Sequence, residues 1–164
     1  MKKELEGAKR LLENVTPLKT DCGLNCNAAC CRDNGEAGAC VWLLPGENEV
    51  EYEFGHIKPT LMPVADKMIS GLYCDKPCDR SKRPFMCRIF PLSPYYSVKK
   101  GEWSVRMDRR AAPLCPLYGW GVKGLNPEFV AAAKQAVKLI AQTEDGEKLL
   151  KMLESEENAY RMEL

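Results

Sequence analysis

Nine cysteines are the residues of this chain best suited to chemistry, and they fall into two groups and one isolated position. The first group comprises Cys22, Cys26, Cys30, Cys31 and Cys40, the second comprises Cys74, Cys78 and Cys87, and Cys115 follows alone. Thiolates gathered in this way favour zinc or iron–sulfur clusters over cations that prefer oxygen ligands. The chain has a single histidine and no CxxCH haem-attachment pattern. The sequence therefore predicts a metal centre held almost entirely by sulfur.

The spacing within both groups is wider than the CxxC pairs that usually bend two sulfurs around one zinc ion. Three residues separate Cys22 from Cys26, Cys26 from Cys30, and Cys74 from Cys78, and the chain contains no CxxC pair. Wider spacing suits a cluster whose irons separate the ligating sulfurs, and it also permits zinc. A 4Fe–4S cluster and zinc are therefore both predicted candidates.

The adjacency of Cys30 and Cys31 limits how the first group is used. On a helix, Cys22, Cys26 and Cys30 would align along one face, whereas Cys31 would lie about 100° around the axis from Cys30. We therefore expect one member of the adjacent pair to serve a different site or to pack. A glycine and two asparagines within residues 22–27 are poor helix formers, so any helix here is expected to be short or irregular.

A disulfide framework is the other explanation for many cysteines, and it belongs to oxidising compartments. Residues 1–10 are charged and contain no apolar run resembling a signal peptide, and an odd number of cysteines leaves one thiol unpaired. No stretch approaches the roughly 18 apolar residues of a membrane span. We therefore expect a reduced, cytoplasmic protein with no membrane partner.

The formal net charge is only +1, but the charges are unevenly distributed. Residues 74–110 carry ten Lys or Arg and four Asp or Glu, whereas residues 144–164 carry three basic and seven acidic residues. Because a tetrathiolate zinc site or a 4Fe–4S centre holds net negative charge, the basic segment is interpreted as compensating that charge. No recognisable motif or interleaved aromatic residues accompany it, so no nucleic-acid partner is expected.

The sequence around the cysteines resembles a known family. The similar segments are Cys22-x3-Cys26-x3-Cys30-Cys31, residues 39–43, and above all Cys78-x4-Arg83-Pro84-Phe85-Met86-Cys87-Arg88-Ile89-Phe90-Pro91. They are similar to cysteine-rich bacterial and archaeal proteins described as zinc- or iron-chelating, which typically carry eight cysteines, an RPxxCRxxP stretch and a late cysteine. The resemblance spans roughly Cys22 to Cys115. Some relatives are flagellin lysine methylases, which are said to use an iron–sulfur centre.

The resemblance implies a ligand set for this chain. The eight implied ligands are Cys22, Cys26, Cys30, Cys31, Cys40, Cys78, Cys87 and Cys115. Cys74 has no clear counterpart, the gap between Cys31 and Cys40 is shorter than usual, and residues 41–73 resemble an insertion. Arg83 and Arg88 flank Cys87, and we expect them either to donate hydrogen bonds to metal-bound sulfur or to be ordinary solvated side chains.

The elements that position these cysteines are predicted from apolar periodicity. A first helix runs from Leu5 to Val15 and ends at Thr16-Pro17, a second is capped by Asn126, and a third is capped by Thr143. The predicted strands are residues 41–44 and 50–54 in one hairpin, and residues 96–98 and 103–107 in another.

A chain of 164 residues is expected to form one domain that buries roughly two-thirds of its unfolded surface. The predicted fold class is α+β, a small single domain over residues 1–164 with helices at both ends, two short β-hairpins and a cysteine-lined metal centre. The metal-binding core is predicted at about 20–116 and a C-terminal helical pair at about 126–163.

Two other features are given no functional role. Residues 119–124 match GxGxxG, but no strand pattern precedes them and no βαβ unit surrounds them, so a dinucleotide site is not predicted. His56 has no cysteine near it in sequence and is interpreted as a loop residue.

Two functions follow from the sequence. The first is an iron–sulfur protein with a redox or protein-modifying role. The second is a structural zinc-binding module without catalytic activity, whose exposed surface binds a protein partner. An open coordination position would favour chemistry, and closed tetrathiolate sites would favour structure.

Overall fold

A computed structural model describes residues 1–31, 39–47, 57–64, 67–74, 77 and 79–162. The described helices are α1 (Lys2–Leu11), α2 (Cys22–Cys26), α3 (Phe85–Ile89), α4 (Pro127–Ile140) and α5 (Glu144–Met162). The described strands are β1 (Ala39–Trp42), β2 (Ile57–Val64), β3 (Lys67–Cys74), β4 (Leu92–Ser97) and β5 (Glu102–Met107). The protein is a small α+β single domain with helices at both ends, as predicted, but its two small sheets are one three-stranded sheet and one hairpin rather than two hairpins. None of the described helices is long and apolar enough to cross a membrane.

The first sheet contains three antiparallel strands in the order β1-β3-β2. The predicted strand at 41–44 forms in part, as β1, but it pairs with β3. Its predicted partner, residues 50–54, lies outside the described residues. The β2–β3 pair was not predicted, because Pro59 and Pro63 make β2 a poor strand by sequence. Proline is tolerated there because β2 lies at the edge of the described sheet, where a missing N–H breaks fewer bonds.

The second sheet is the hairpin of β4 and β5, which confirms the prediction for this segment. Gly101 closes the turn with a φ of 65°, a conformation that glycine adopts without steric cost. Tyr96 lies opposite Trp103, and their rings meet edge to face at 5.7 Å between centroids. Val98 was expected in the strand but belongs to the turn, where it is almost fully exposed.

The two C-terminal helices form where their caps predict. The side chain of Asn126 accepts a hydrogen bond from the backbone N–H of Glu128 at 3.1 Å, and Pro127 occupies the first turn of α4. The Oγ1 of Thr143 accepts from the N–H of Gly146 at 3.1 Å and so caps α5. The apolar residues that recur at helical spacing are buried in both helices, which confirms these two elements. They are Phe129, Val130, Ala133, Val137 and Ile140 in α4, and Leu149, Leu150 and Leu153 in α5.

Helix α1 packs against α4 and ends earlier than predicted. At Gly7 the two helices approach so closely that a Cβ would lie 2.9 Å from Cδ2 of Leu139. The last turn tightens through hydrogen bonds from the N–H groups of Leu12 and Glu13 to carbonyls three residues earlier, so the chain leaves the helix before Val15. The buried core joins α1, α3, α4, α5 and both strands of the second sheet.

Candidate metal centre

One pocket of about 310 Å³ brings together six of the eight cysteines that the resemblance implies as ligands. These cysteines are Cys22 and Cys26 on α2, Cys30 and Cys31 in the 3₁₀ turn Ala29–Cys31, Cys87 on α3, and Cys115 just before the 3₁₀ turn Pro116–Trp120. All six side chains are partly buried, and none of these six forms a disulfide with another described cysteine. Four separate segments, nearly a hundred residues apart in sequence at their extremes, therefore supply thiols to the same cavity.

The first cysteine group is shaped by a short helix and a sharp reversal. The carboxylate of Asp21 accepts from the N–H of Gly23 at 3.0 Å and starts α2. The helix ends at Cys26, because Asn27 and Ala28 both adopt positive φ angles, 54° and 52°. A positive φ is uncommon for alanine and costs of order 1–3 kcal/mol, and such residues cluster at functional sites. After this reversal, Cys30 and Cys31 line the same pocket as the two cysteines of α2.

The adjacent cysteines Cys30 and Cys31 both line this pocket, and their sulfurs are 3.9 Å apart. The pair lies in a single 3₁₀ turn that follows the reversal at Ala28. That one of the two serves a different site or packs stays a prediction. Four sulfurs about 2.3 Å from one zinc ion would stand about 3.8 Å from one another. The observed separation is therefore one that two ligands of a shared ion can adopt.

Burial and mutual contact shift the pKa values of the pocket thiols in the metal-free chain. Burial raises the pKa of Cys22 to about 11 and also raises the pKa of Cys115. The hydrogen bond between the two adjacent thiols raises the pKa of Cys30, with burial adding to the effect, and lowers the pKa of Cys31 to about 7, where the charge of Arg83 also contributes. Most of these thiols are protonated at neutral pH, so metal binding must release protons.

The start of helix α3, which carries Cys87, is held by a buried carboxylate that no sequence pattern indicates. The Oε1 of Glu47 accepts from the N–H of Phe85 at 2.7 Å, and its Oε2 accepts from the N–H of Leu44 at 2.9 Å. The ammonium group of Lys9 lies 2.8 Å from Oε1, and the Glu47 side chain is fully buried. One side chain thus joins α1, the segment after β1 and the start of α3.

Three arginines, Arg80, Arg83 and Arg88, line the pocket beside the thiols. Their positive charges act on one another, since those of Arg83 and Arg88 contribute to a lowered pKa of Arg80 that burial mainly causes. Arg88 is buried, and its guanidinium donates to three backbone carbonyls, including that of Arg83 at 2.9 Å. A hydrogen bond from either flanking arginine to metal-bound sulfur stays a prediction.

Three cysteines remain besides the six that line the pocket, namely Cys40, Cys74 and Cys78. Cys78 and His56 lie outside the described residues, and Cys40 is described only as a backbone position of β1, opposite Tyr73. Cys74 ends β3 opposite Ala39 and packs against the small apolar cluster of buried Leu43 and Leu72. It is not among the described residues that line the pocket.

The donor set fits a thiolate-ligated metal, although the sulfurs do not converge on one point. Within the described ranges, no three His, Cys, Asp or Glu side chains are grouped closely enough to hold a metal ion as they stand. The pocket nevertheless offers six sulfur donors, and three cationic side chains border it. Soft sulfur donors and a cationic border are the environment that zinc thiolates and iron–sulfur clusters require.

The sequence did not single out Trp120, which lines the pocket although 58% of its surface is exposed. It lies in the segment that matches GxGxxG, and that segment forms two 3₁₀ turns, Pro116–Trp120 and Val122–Gly124, rather than a strand–helix junction. Its position five residues after Cys115 was the available signal, because residues close in sequence to a pocket cysteine are brought near the same pocket.

No family model, no curated protein and no solved structure matches this chain. The similarity to zinc- or iron-chelating proteins therefore rests on the cysteine and arginine pattern alone. Function is inferred below from the six pocket thiols and the arginines beside them.

Proposed function

We propose that the pocket holds a thiolate-ligated metal centre, and that an iron–sulfur cluster is its first candidate occupant. The observation that carries this proposal is that six thiols from four segments line one cavity. The ligands are proposed to come from Cys22, Cys26, Cys30, Cys31, Cys87 and Cys115, with Cys40 and Cys78 completing the set that the resemblance implies. Thiols rarely gather in this way without a metal or a disulfide, and the six pocket cysteines form no disulfide within the described part of the chain.

Size and charge support the iron–sulfur candidate. A single ion held by four thiolates needs little open space, whereas about 310 Å³ is roughly ten times the volume that one water molecule occupies in the liquid. The number of donors does not separate the two candidates, because six exceeds both the four ligands of a tetrahedral zinc ion and the four cysteines of a 4Fe–4S cluster. The charges of Arg80, Arg83 and Arg88 complement an anionic cluster, whose reduction potential responds to nearby charge and hydrogen bonds.

A bound cluster would supply one-electron transfer, in a redox protein or in an enzyme that modifies other proteins. The chain's own residues would bind and shield it. Partial burial of the thiols restricts solvent, and the apolar side chains of Leu18, Phe90 and Leu117 form part of the same wall. An accessible side of the pocket, where Trp120 is exposed, leaves room for a partner to approach.

A structural zinc site is the second candidate, and a specific observation favours it. The sulfurs of Cys30 and Cys31 are 3.9 Å apart, close to the separation of two thiolates on one zinc ion. Zinc would close the site, hold the four segments together and leave only the surface of the protein for a partner. In that case the protein has no catalytic activity.

Metal analysis of the full chain isolated anaerobically with iron available tests the proposal. The account expects stoichiometric iron with inorganic sulfide and broad visible absorption from thiolate-to-iron charge transfer. Colourless protein with stoichiometric zinc would replace the first candidate with the second. Protein with neither metal would contradict both.

A matched pair of variants assigns the metal to the pocket. Serine in place of Cys26 still donates a hydrogen bond to the carbonyl of Cys22, which the thiol now contacts at 3.4 Å, so the fold should be retained while a ligand is lost. Cys74→Ser makes the same chemical change at a cysteine outside the pocket lining. Cys26→Ser should lower the metal content by half or more, and Cys74→Ser should leave it unchanged.

A further inference from the structure

Two of the pocket arginines are bonded to the end of helix α1 and to the chain that leaves it. The Nη2 of Arg80 donates to the carbonyl of Leu12 at 3.3 Å and to the carbonyl of Val15, and its Nε donates to the carbonyl of Glu13 at 3.4 Å. The last carbonyls of a helix have no partner within the helix and carry partial negative charge. Leu12 is the C-cap of α1, so Arg80 binds one of these carbonyls and two carbonyls of the segment that follows.

Arg88 binds the same helix end and the loop before α3. Its Nη1 donates to the carbonyl of Lys9 at 3.2 Å, its Nη2 to that of Ser81 at 2.6 Å, and its Nε to that of Arg83 at 2.9 Å. Only 6% of Arg88 is exposed, so these bonds lie in a poorly solvated environment. Hydrogen bonds from a charged donor contribute more there than neutral ones.

These bonds join the two parts of the chain that supply cysteines. The segment that leaves α1 passes through Pro17 and Leu18, which line the pocket, and reaches Cys22. Arg88 lies next to Cys87 on α3, and Arg80 lies in the turn that precedes it. The segment that leads from α1 to the first cysteine group is therefore connected to the segment of Cys87 through four arginine-to-carbonyl hydrogen bonds. The two other bonds of Arg88 lie within its own segment and hold the turn before α3.

We propose that Arg80 and Arg88 are positioning residues of the metal centre, which hold the two cysteine groups in place before metal binds. The inference rests on the proposed function, since it assumes that the pocket thiols are ligands. Neither arginine needs to contact the metal, because each acts through the backbone that carries the ligands. Loss of comparable supporting residues in metal sites lowers metal affinity about 10- to 100-fold.

A lysine variant distinguishes the positioning role of Arg88 from a purely electrostatic role. Arg88→Lys keeps the positive charge beside the pocket, but an ammonium group cannot span the three carbonyls that the planar guanidinium reaches. If geometry is what matters, lysine should fail almost as fully as glutamine does. If charge alone matters, lysine should restore binding.

The test is an anaerobic titration of the metal-free full chain with Cd²⁺, a soft ion whose bonds to sulfur absorb in the ultraviolet. Affinity is measured against a competing chelator, and the absorbance at saturation reports the number of cadmium–sulfur bonds. The variants are Arg80→Gln, Arg88→Gln and Arg88→Lys. The matched control is Arg106→Gln, which removes a partner of the buried Glu157 at a site that does not line the pocket.

The three pocket variants should bind Cd²⁺ at least 10-fold more weakly than the wild type, with the absorbance at saturation unchanged, while Arg106→Gln binds normally. Affinity within twofold of wild type in all three, restoration by lysine, or an equal loss in Arg106→Gln would overturn the positioning role. If Arg88→Gln fails to fold by near-ultraviolet circular dichroism, Arg80→Gln decides. A wild-type chain that does not bind Cd²⁺ overturns the proposed function itself.

Discussion

Replacing Glu47 with alanine is expected to destabilise the protein more than any other single change to a charged residue outside the pocket. The carboxylate is fully buried and accepts hydrogen bonds from the N–H groups of Leu44 and Phe85, at 2.9 and 2.7 Å. Lys9, which is 19% exposed, completes the set at 2.8 Å. Alanine leaves two buried N–H groups and one partly buried ammonium group without this acceptor.

The magnitude follows from these contacts. A hydrogen bond to a charged group contributes about 1.5–3 kcal/mol, and removing one partner of a buried ion pair costs about 3–5 kcal/mol. Since Lys9 retains some solvent contact, part of its cost is recovered by hydration. We expect Glu47→Ala to lower the free energy of unfolding by about 3–4 kcal/mol, which for a chain of this size lowers Tm by roughly 10 °C.

The assay is guanidinium unfolding of the metal-free chain, so that metal binding does not contribute to the measured stability. Glu47→Gln retains one carbonyl acceptor and should lose about half as much free energy. A double-mutant cycle with Lys9→Met isolates the contribution of the ion pair. A loss below about 1 kcal/mol for Glu47→Ala would refute the inference that this carboxylate fixes the start of α3.

Four further predictions follow from other residues. Cys87→Ser should lose bound metal, whereas Cys74→Ser should retain it, as metal analysis of the two purified variants will show. Glu157→Gln should lower the free energy of unfolding by about 1–3 kcal/mol in a denaturant titration, because the buried carboxylate loses its charge beside a cationic partner. Because burial raises the pKa of Cys22 to about 11, Cd²⁺ must displace its proton, and affinity measured by chelator competition should rise from about pH 6 to about pH 8. In the metal-free chain Cys31, with a pKa lowered to about 7, should react with iodoacetamide before Cys22 and Cys30 at neutral pH, because the pKa values of those two thiols are raised.

The sequence predicts best those elements that local chemistry determines. Asn126 and Thr143 cap α4 and α5 through their own side chains, and the turn of the second hairpin contains Gly101. Each of these signals lies within a few residues of the structure it produces. That is why both C-terminal helices and the β4–β5 hairpin are confirmed.

Tertiary contacts explain what the sequence does not predict. Strand β2 carries two prolines and is identified only by its pairing with β3 at the sheet edge. Glu47 follows a turn-forming Pro45-Gly46 pair, and nothing local indicates that its carboxylate is buried beneath α3. The bonds of Arg80 and Arg88 to the end of α1 span more than sixty residues of sequence.

In the candidate site, too, residue type could be predicted from the sequence, whereas the tertiary arrangement could not. Residue type alone indicated sulfur chemistry, and six of the eight cysteines named from the resemblance line one pocket. The sulfurs of Cys30 and Cys31 lie 3.9 Å apart after a reversal at Asn27 and Ala28 that no local sequence pattern signals. That one of the pair serves a different site or packs stays a prediction. All eight cysteines stay predictions as ligands.

Mass spectrometry of the anaerobically isolated full chain, compared between native and denaturing conditions, tests the central claim most directly. A metal centre held by thiolates adds its mass to the native protein and is lost on denaturation. The account predicts a native mass that exceeds the denatured mass by a stoichiometric metal centre, with inorganic sulfide if the centre is an iron–sulfur cluster. Equal masses, or pocket cysteines paired as disulfides in freshly isolated protein, would contradict it.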